Sequence, residues 1–147
     1  MFKHILVPVD GSATALQAVR EATRMAQAVK ARITLMHAIQ VYPYAGLGDT
    51  FGDGLAVYLN AAHAAANAAI AEARAVIDAG AVACESRIVE GNNVWRAIVD
   101  AVPAVGADLI VMGTHGRGMI DRMLLGSVAQ RVLANASVPV MVVHGKE

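Results

Sequence analysis

The run Gly113-Thr114-His115-Gly116, followed after nine residues by Gly126-Ser127, brings three glycines, a serine hydroxyl and a histidine into one short stretch, with Arg117 among them. These residue types suit phosphate chemistry. Glycine lacks the Cβ that keeps a backbone amide away from a bulky oxygen, and it tolerates positive φ, so a glycine turn can wrap an anion with N–H donors. A serine that opens a helix adds a hydroxyl and stands among first-turn amides that have no intrahelical acceptor, at the positive end of the helix dipole. Hydrogen bonds to a charged phosphate contribute about 1.5–3 kcal/mol each, so three or four would dominate a micromolar affinity even after ordering costs. Gly113, Gly116, Gly126 and Ser127 are therefore candidate phosphate ligands. His115 can donate to a phosphate or to a bridging water, and Arg117 adds charge. The alternative is structural: a glycine-rich connection in which Gly126-Ser127 only caps a helix.

The elements that must position these groups can be read on either side of them. Residues 108 to 112 form a short apolar run ending at a glycine, the pattern of a buried parallel strand, and a helix begins at Ser127. Asp10 closes a second apolar run, Ile5-Leu6-Val7-Pro8-Val9, and so puts a carboxylate at a strand's carboxyl end. Ligands of open α/β sheets sit beside such ends where the strand order reverses. A carboxylate there can accept from a ribose hydroxyl or an adenine amine; the alternative is a helix-capping role in the Asp10-Gly11-Ser12 turn.

Strand and helix patterns alternate from end to end, which predicts a single-domain α/β fold over residues 1 to 147 with an open, mostly parallel sheet flanked by helices. Five strands are expected, near residues 4 to 9, 32 to 39, 83 to 89, 108 to 112 and 138 to 143. The first helix carries Leu16, Val19, Thr23, Ala26 and Val29 near helical spacing, with Ser12 or Thr14 as its cap. An alanine-rich helix over residues 55 to 79 stops at Gly80, and its small side chains let it lie close to a sheet. A third helix shows Val94, Ile98, Ala101 and Val102 on one face, with Trp95 off that stripe, as a partly buried packing residue or as a cover for a neighbouring element or an interface. The fourth helix spans residues 127 to 134 and is capped by Asn135. Residues 40 to 54, with four glycines and Pro43, are long for a plain connector, and read either as a lid or partner-contact loop or as a loose crossover. Pro139 suits an edge strand because it has no amide to donate. An apolar edge strand invites pairing with a second copy, so a homodimer through residues 138 to 144 is expected.

Composition and motif spacing exclude much else. Lys+Arg and Asp+Glu number 12 each, which argues against a sequence-independent nucleic-acid binder held by counterion release. The apolar opening run ends at Asp10, far short of a signal-peptide core, and polar residues break the alanine-rich segment before it could span a bilayer, so a cytosolic chain without a membrane segment is expected. Cys84 is the single cysteine and reads as a free thiol. The histidines at 4, 37, 63, 115 and 144 lack ligand spacing, so any divalent ion is expected to arrive on nucleotide phosphates. A Walker-type NTPase would need G-x-x-x-x-G-K-[ST], and a dinucleotide fold a G-x-G-x-x-G after the first strand; neither is present. Flavin mononucleotide binding is harder to dismiss, since Ser12 and Thr14 could hold a phosphate, but no aromatic residue is placed to cover the ring. No general base stands out for hydrolysis.

The chain resembles the universal stress protein family along its whole length: Pro8-Val9-Asp10-Gly11-Ser12 after the first strand, His37-Ala38 at the end of the second, and the specific element, Gly113-x2-Gly116-x9-Gly126-Ser127, followed by Val138-Pro139-Val140. The resemblance implies a Rossmann-like five-stranded parallel sheet, dimers through the last strand, a cytoplasmic stress-response role and, in the ATP-binding branch, a site for ATP with or without Mg. By position, Asp10, with Val9 beside it, would meet the adenosine moiety, and Ala38 would edge the adenine with its backbone. Met112 and Gly113 would lie along ribose and phosphates, with Gly116, Gly126, Ser127 and Val128 completing the cradle. The implied function is that of a nucleotide-dependent regulator with at most slow ATPase activity, or of an interaction module that keeps the fold without the nucleotide. Residues 40 to 54 are not fixed by the family pattern.

Overall fold

The computed structural model describes residues 1–41, 52–115 and 125–145. Its elements run β1 (His4–Pro8), α1 (Ala13–Val29), β2 (Arg32–Gln40), α2 (Gly52–Ala79), β3 (Cys84–Gly91), α3 (Val94–Val105), β4 (Leu109–Gly113), α4 (Ser127–Asn135) and β5 (Val140–Val143). The sheet has the order β3-β2-β1-β4-β5, and all four pairings are parallel. Parallel neighbours need a crossover, and here each is a helix. The chain steps outward from β1 to β2 to β3, then crosses back to lay β4 on the other side of β1. This reversal puts the first two helices on one face and the last two on the other. Ile5, Val7, Ile33 and Leu35 pack with α1 and α2, whereas Leu6, Met36, Ile110 and Met112 pack with α3 and α4. The inner strands are buried on both faces, so they read as continuous apolar runs.

The helix faces show how small residues set these distances. On α1 the buried residues include Ala15, Ala18, Val19, Ala22 and Ala26, and Leu16 lies off this face, half-buried. Val19, Thr23 and Ala26 of the expected stripe are buried, but Leu16 gives way to Ala15, Ala18 and Ala22, because a row of alanines lets the helix backbone lie closer to the sheet than a leucine would. Ser12 caps α1 by accepting from the Ala15 amide at 3.1 Å. Gly80 follows α2 as expected, for a different reason from the usual left-handed cap. A Cβ on it would lie 2.6 Å from Thr23 Cγ2, and the left-handed residue is Ala81, at φ 55°. The C-cap of α4 is Ala136, not Asn135, whose side chain donates to the Arg131 carbonyl instead. Trp95 packs against the α3–α4 core, with the guanidinium groups of Arg96 and Arg131 4.9 and 5.8 Å from its ring centre.

At the amino end of the sheet the Asp108 carboxylate accepts from the amides of Lys3 and His4, tying β1 to the start of β4. The buried His4 ring makes a 2.6 Å hydrogen bond to the Thr34 hydroxyl. Burial, reinforced by the charge of Arg32, lowers the imidazole pKa below 6.5. Burial also pushes the free Cys84 thiol up. Residues 42–51, which hold most of the expected lid or crossover, lie outside the described residues. Among the described residues no helix is long and apolar enough to cross a membrane.

Candidate functional site

The reversal of strand order leaves a crevice at the carboxyl ends of β1 and β4, where the connections leave in opposite directions. A cavity of about 340 Å³ occupies it, within the size range of small-molecule sites. Its rim brings together two segments about a hundred residues apart: Val9 and Asp10 after β1, and Met112, Gly113 and His115 at the end of β4. Gly126, Ser127 and Val128 reach it from the start of α4, and Ala38 from β2. Of the residues singled out in the sequence, Gly116 and Arg117 lie outside the described residues, and the other nine all line this one cavity. Val94 and Ile98 of α3 complete an apolar wall. Their stripe is legible as a core face; its second use, as the wall of a cleft, depends on where α3 crosses the sheet.

The local turns follow from side-chain chemistry. Asp10 accepts from the Ser12 amide at 2.9 Å, an Asx-type turn that bends the chain from β1 into α1. Gly11 sits between them at φ 83°, a conformation that disfavours any side chain. The Ser12 hydroxyl is engaged with the Ala15 amide, and Thr14 donates to the His115 carbonyl at 2.8 Å. The Thr14 hydroxyl proton offered to a flavin phosphate is thus committed to the fold, and the Ser12 oxygen is held at the helix cap.

At the β4 end, three contacts pin the turn. The Thr114 amide donates to the Val143 carbonyl at 3.0 Å, and the Gly126 amide to the Thr114 carbonyl at 2.6 Å. The Thr114 hydroxyl lies 3.1 Å from Nδ1 of His115, which fixes the imidazole relative to the turn. Gly126 and Gly113 are glycines because of close approach. A Cβ on Gly126 would lie 3.1 Å from His115 Cα and from the Thr114 carbonyl oxygen; one on Gly113 would lie 3.0 Å from the Thr14 carbonyl carbon. As the N-cap of α4, Gly126 offers no side chain to cover the first-turn amides, and that end of the helix faces the cavity. The arrangement combines an anion-attracting helix start, a histidine, one carboxylate and an apolar wall.

An open parallel α/β domain with a glycine-lined cleft at its switch point belongs to the Rossmann-like class. The universal stress protein family model matches residues 1–144, and the chain belongs to that family. A universal stress protein of Thermus aquaticus is 37% identical, covering 98% of this chain and 100% of that one. The solved universal stress protein UspA from Lactobacillus plantarum superposes with a TM-score of 0.84 at 28% identity, covering 96% of this chain and 97% of that one. A universal stress protein solved in complex with cAMP has a TM-score of 0.66 at 30% identity, with 99% and 98% covered.

Proposed function

We propose that this chain is a one-domain, cytoplasmic, ATP-binding universal stress protein that acts as a homodimeric regulator with at most slow hydrolysis. The single observation that carries the reading is the opening of the α4 N-terminus, through Gly126, onto the cavity that also holds Asp10. One end of that cavity favours phosphate and the other can accept from a ribose hydroxyl or an adenine amine. A relative of the same fold bound to cAMP supports an adenine nucleotide as occupant. In this reading Val9, Asp10 and Ala38 surround the nucleoside, and Met112, Gly113, His115, Ser127 and Val128 follow the ribose and phosphates; Gly116 and Arg117 join them from the adjoining segment. Asp10 is the one carboxylate among the described residues that line the cavity, so Mg would come with the nucleotide's phosphates. The same scarcity of bases argues for binding over turnover.

Calorimetric titration with ATP, together with assay of nucleotide released on denaturing the purified protein, tests the reading. Wild type binds at micromolar or tighter affinity. Gly126→Val, whose side chain would press on the His115 and Thr114 backbone, loses at least about tenfold. A wild-type protein that neither carries nor binds nucleotide would move the chain to the interaction-module reading.

A further inference from the structure

Thr14, buried in the first turn of α1, faces two segments at once, the turn of residues 113 to 115 and the stretch just past β5. Its hydroxyl donates to the His115 carbonyl at 2.8 Å. Its Cβ and carbonyl carbon stand so close to Gly113 that a side chain there would begin 3.0 Å from both. Its methyl faces Gly145, just past β5, where an added Cβ would come within 2.7 Å. Two glycines thus leave room for one threonine, one beside its backbone and Cβ and the other beside its methyl. The turn of residues 113 to 115 is held on its other flanks by the Gly126 amide on the Thr114 carbonyl and by the Thr114 amide on the Val143 carbonyl.

We propose that Thr14 is a positioning residue of the nucleotide site, setting through its hydroxyl the orientation of the His115 peptide and so the direction of the imidazole at the cavity rim. The proposal rests on the nucleotide reading of that cavity. A carbonyl has no means of locating itself in a turn; a donor at fixed position does that, and the first turn of a capped helix is a rigid place to hold one. The methyl has a separate task, packing the segment after β5 against the same helix. The two groups of one side chain therefore predict different phenotypes when removed separately.

Thr14→Val keeps the branched shape and deletes the donor, whereas Thr14→Ser keeps the donor and deletes the methyl. With ATP as the titrant, Thr14→Val binds about tenfold more weakly, because the unheld His115 peptide must then be ordered on binding at a cost of about one hydrogen bond, and Thr14→Ser binds like wild type. Amide exchange without nucleotide gives an independent readout: protection at Thr114 falls in Thr14→Val and stays at the wild-type level in Thr14→Ser, while Leu6 and Ile110 are unchanged in both. Equal affinity and equal exchange in Thr14→Val and wild type overturn the proposal, as does a Thr14→Ser variant as impaired as Thr14→Val, which would make the role one of packing. If wild type itself binds no ATP, the reading of the cavity has failed. The exchange result then decides alone whether Thr14 holds the turn.

Discussion

His4 and Asp108 show how single side chains can tie the sheet together and make it sensitive to acid at the end remote from the site. The lowered His4 pKa, caused first by burial and then by Arg32, means that the fold favours the neutral ring. A depressed value contributes stability that is fully present above the unfolded value of 6.5 and is lost as pH falls through the folded one. For Asp108 burial is the largest single influence and pulls upward, but the amides of His4, Lys3 and Asp108 and the charge of His4 together outweigh it, so its contribution is present above 3.8 and disappears in a more acidic window. Urea midpoints should therefore decline as pH falls below 6.5, before the more acidic window in which the Asp108 carboxylate titrates. An NMR titration of the His4 ring should show a midpoint below 6.5, and a midpoint at or above that value would sink the assignment. Legibility in the sequence divides along similar lines. Gly113, Gly126, Ser127 and Asp10 stand out because turn and helix-start chemistry is local. Thr14 reads as a capping candidate or a possible flavin-phosphate ligand and not as a holder of the turn, since its partners at His115 and Gly145 lie more than a hundred residues away and nothing in their spacing announces the contact.

Among the elements, α1 ends in the same left-handed conformation as α3, with a different residue to carry it. The C-cap of α3 is Gly106 at φ 76°, and that of α1 is Lys30 at φ 59°. An ordinary side chain in that region costs roughly 1–2 kcal/mol, offset in part by the greater freedom glycine gives the unfolded chain. Lys30→Gly should therefore raise stability by about 0.5–1 kcal/mol, read as a higher urea midpoint at unchanged slope. The strands were readable to within about two residues at their ends because apolar runs bounded by glycine, proline and aspartate mark them well. Their order was not contained in that pattern. Alternation of strand and helix implies parallel pairing, and the step back across β1 follows from how the helices share the two faces. On α1 Val19, Thr23 and Ala26 are legible as buried, and Ala15, Ala18 and Ala22 escaped for a related reason: hydropathy weights Leu16 above the alanines, but the sheet rewards closeness.

At the scale of the whole molecule the sheet is bounded, among the described residues, by two edge strands of unlike character. β3 carries Glu85, Arg87 and Glu90, charges that discourage strand addition, while β5 is Val140–Val143 with no charge and Met141 36% exposed. The proposed dimer therefore uses β5. Sedimentation at micromolar concentration should give a dimer for wild type and shift toward monomer for Met141→Lys; a wild-type monomer would remove the claim. The position of β1 also has a consequence in time. β1 pairs with β2 from residue 32 onward, but its opposite edge waits for β4, which begins at Leu109. At a synthesis rate of about 5–20 residues per second, that edge of Ile5, Leu6 and Val7 stays open for roughly 5–20 seconds while the chain between is made. During translation the cleft comes into being only once residues 112–129 have been made, because its walls come both from the end of β1 and from the β4 and α4 residues that follow it about a hundred positions later.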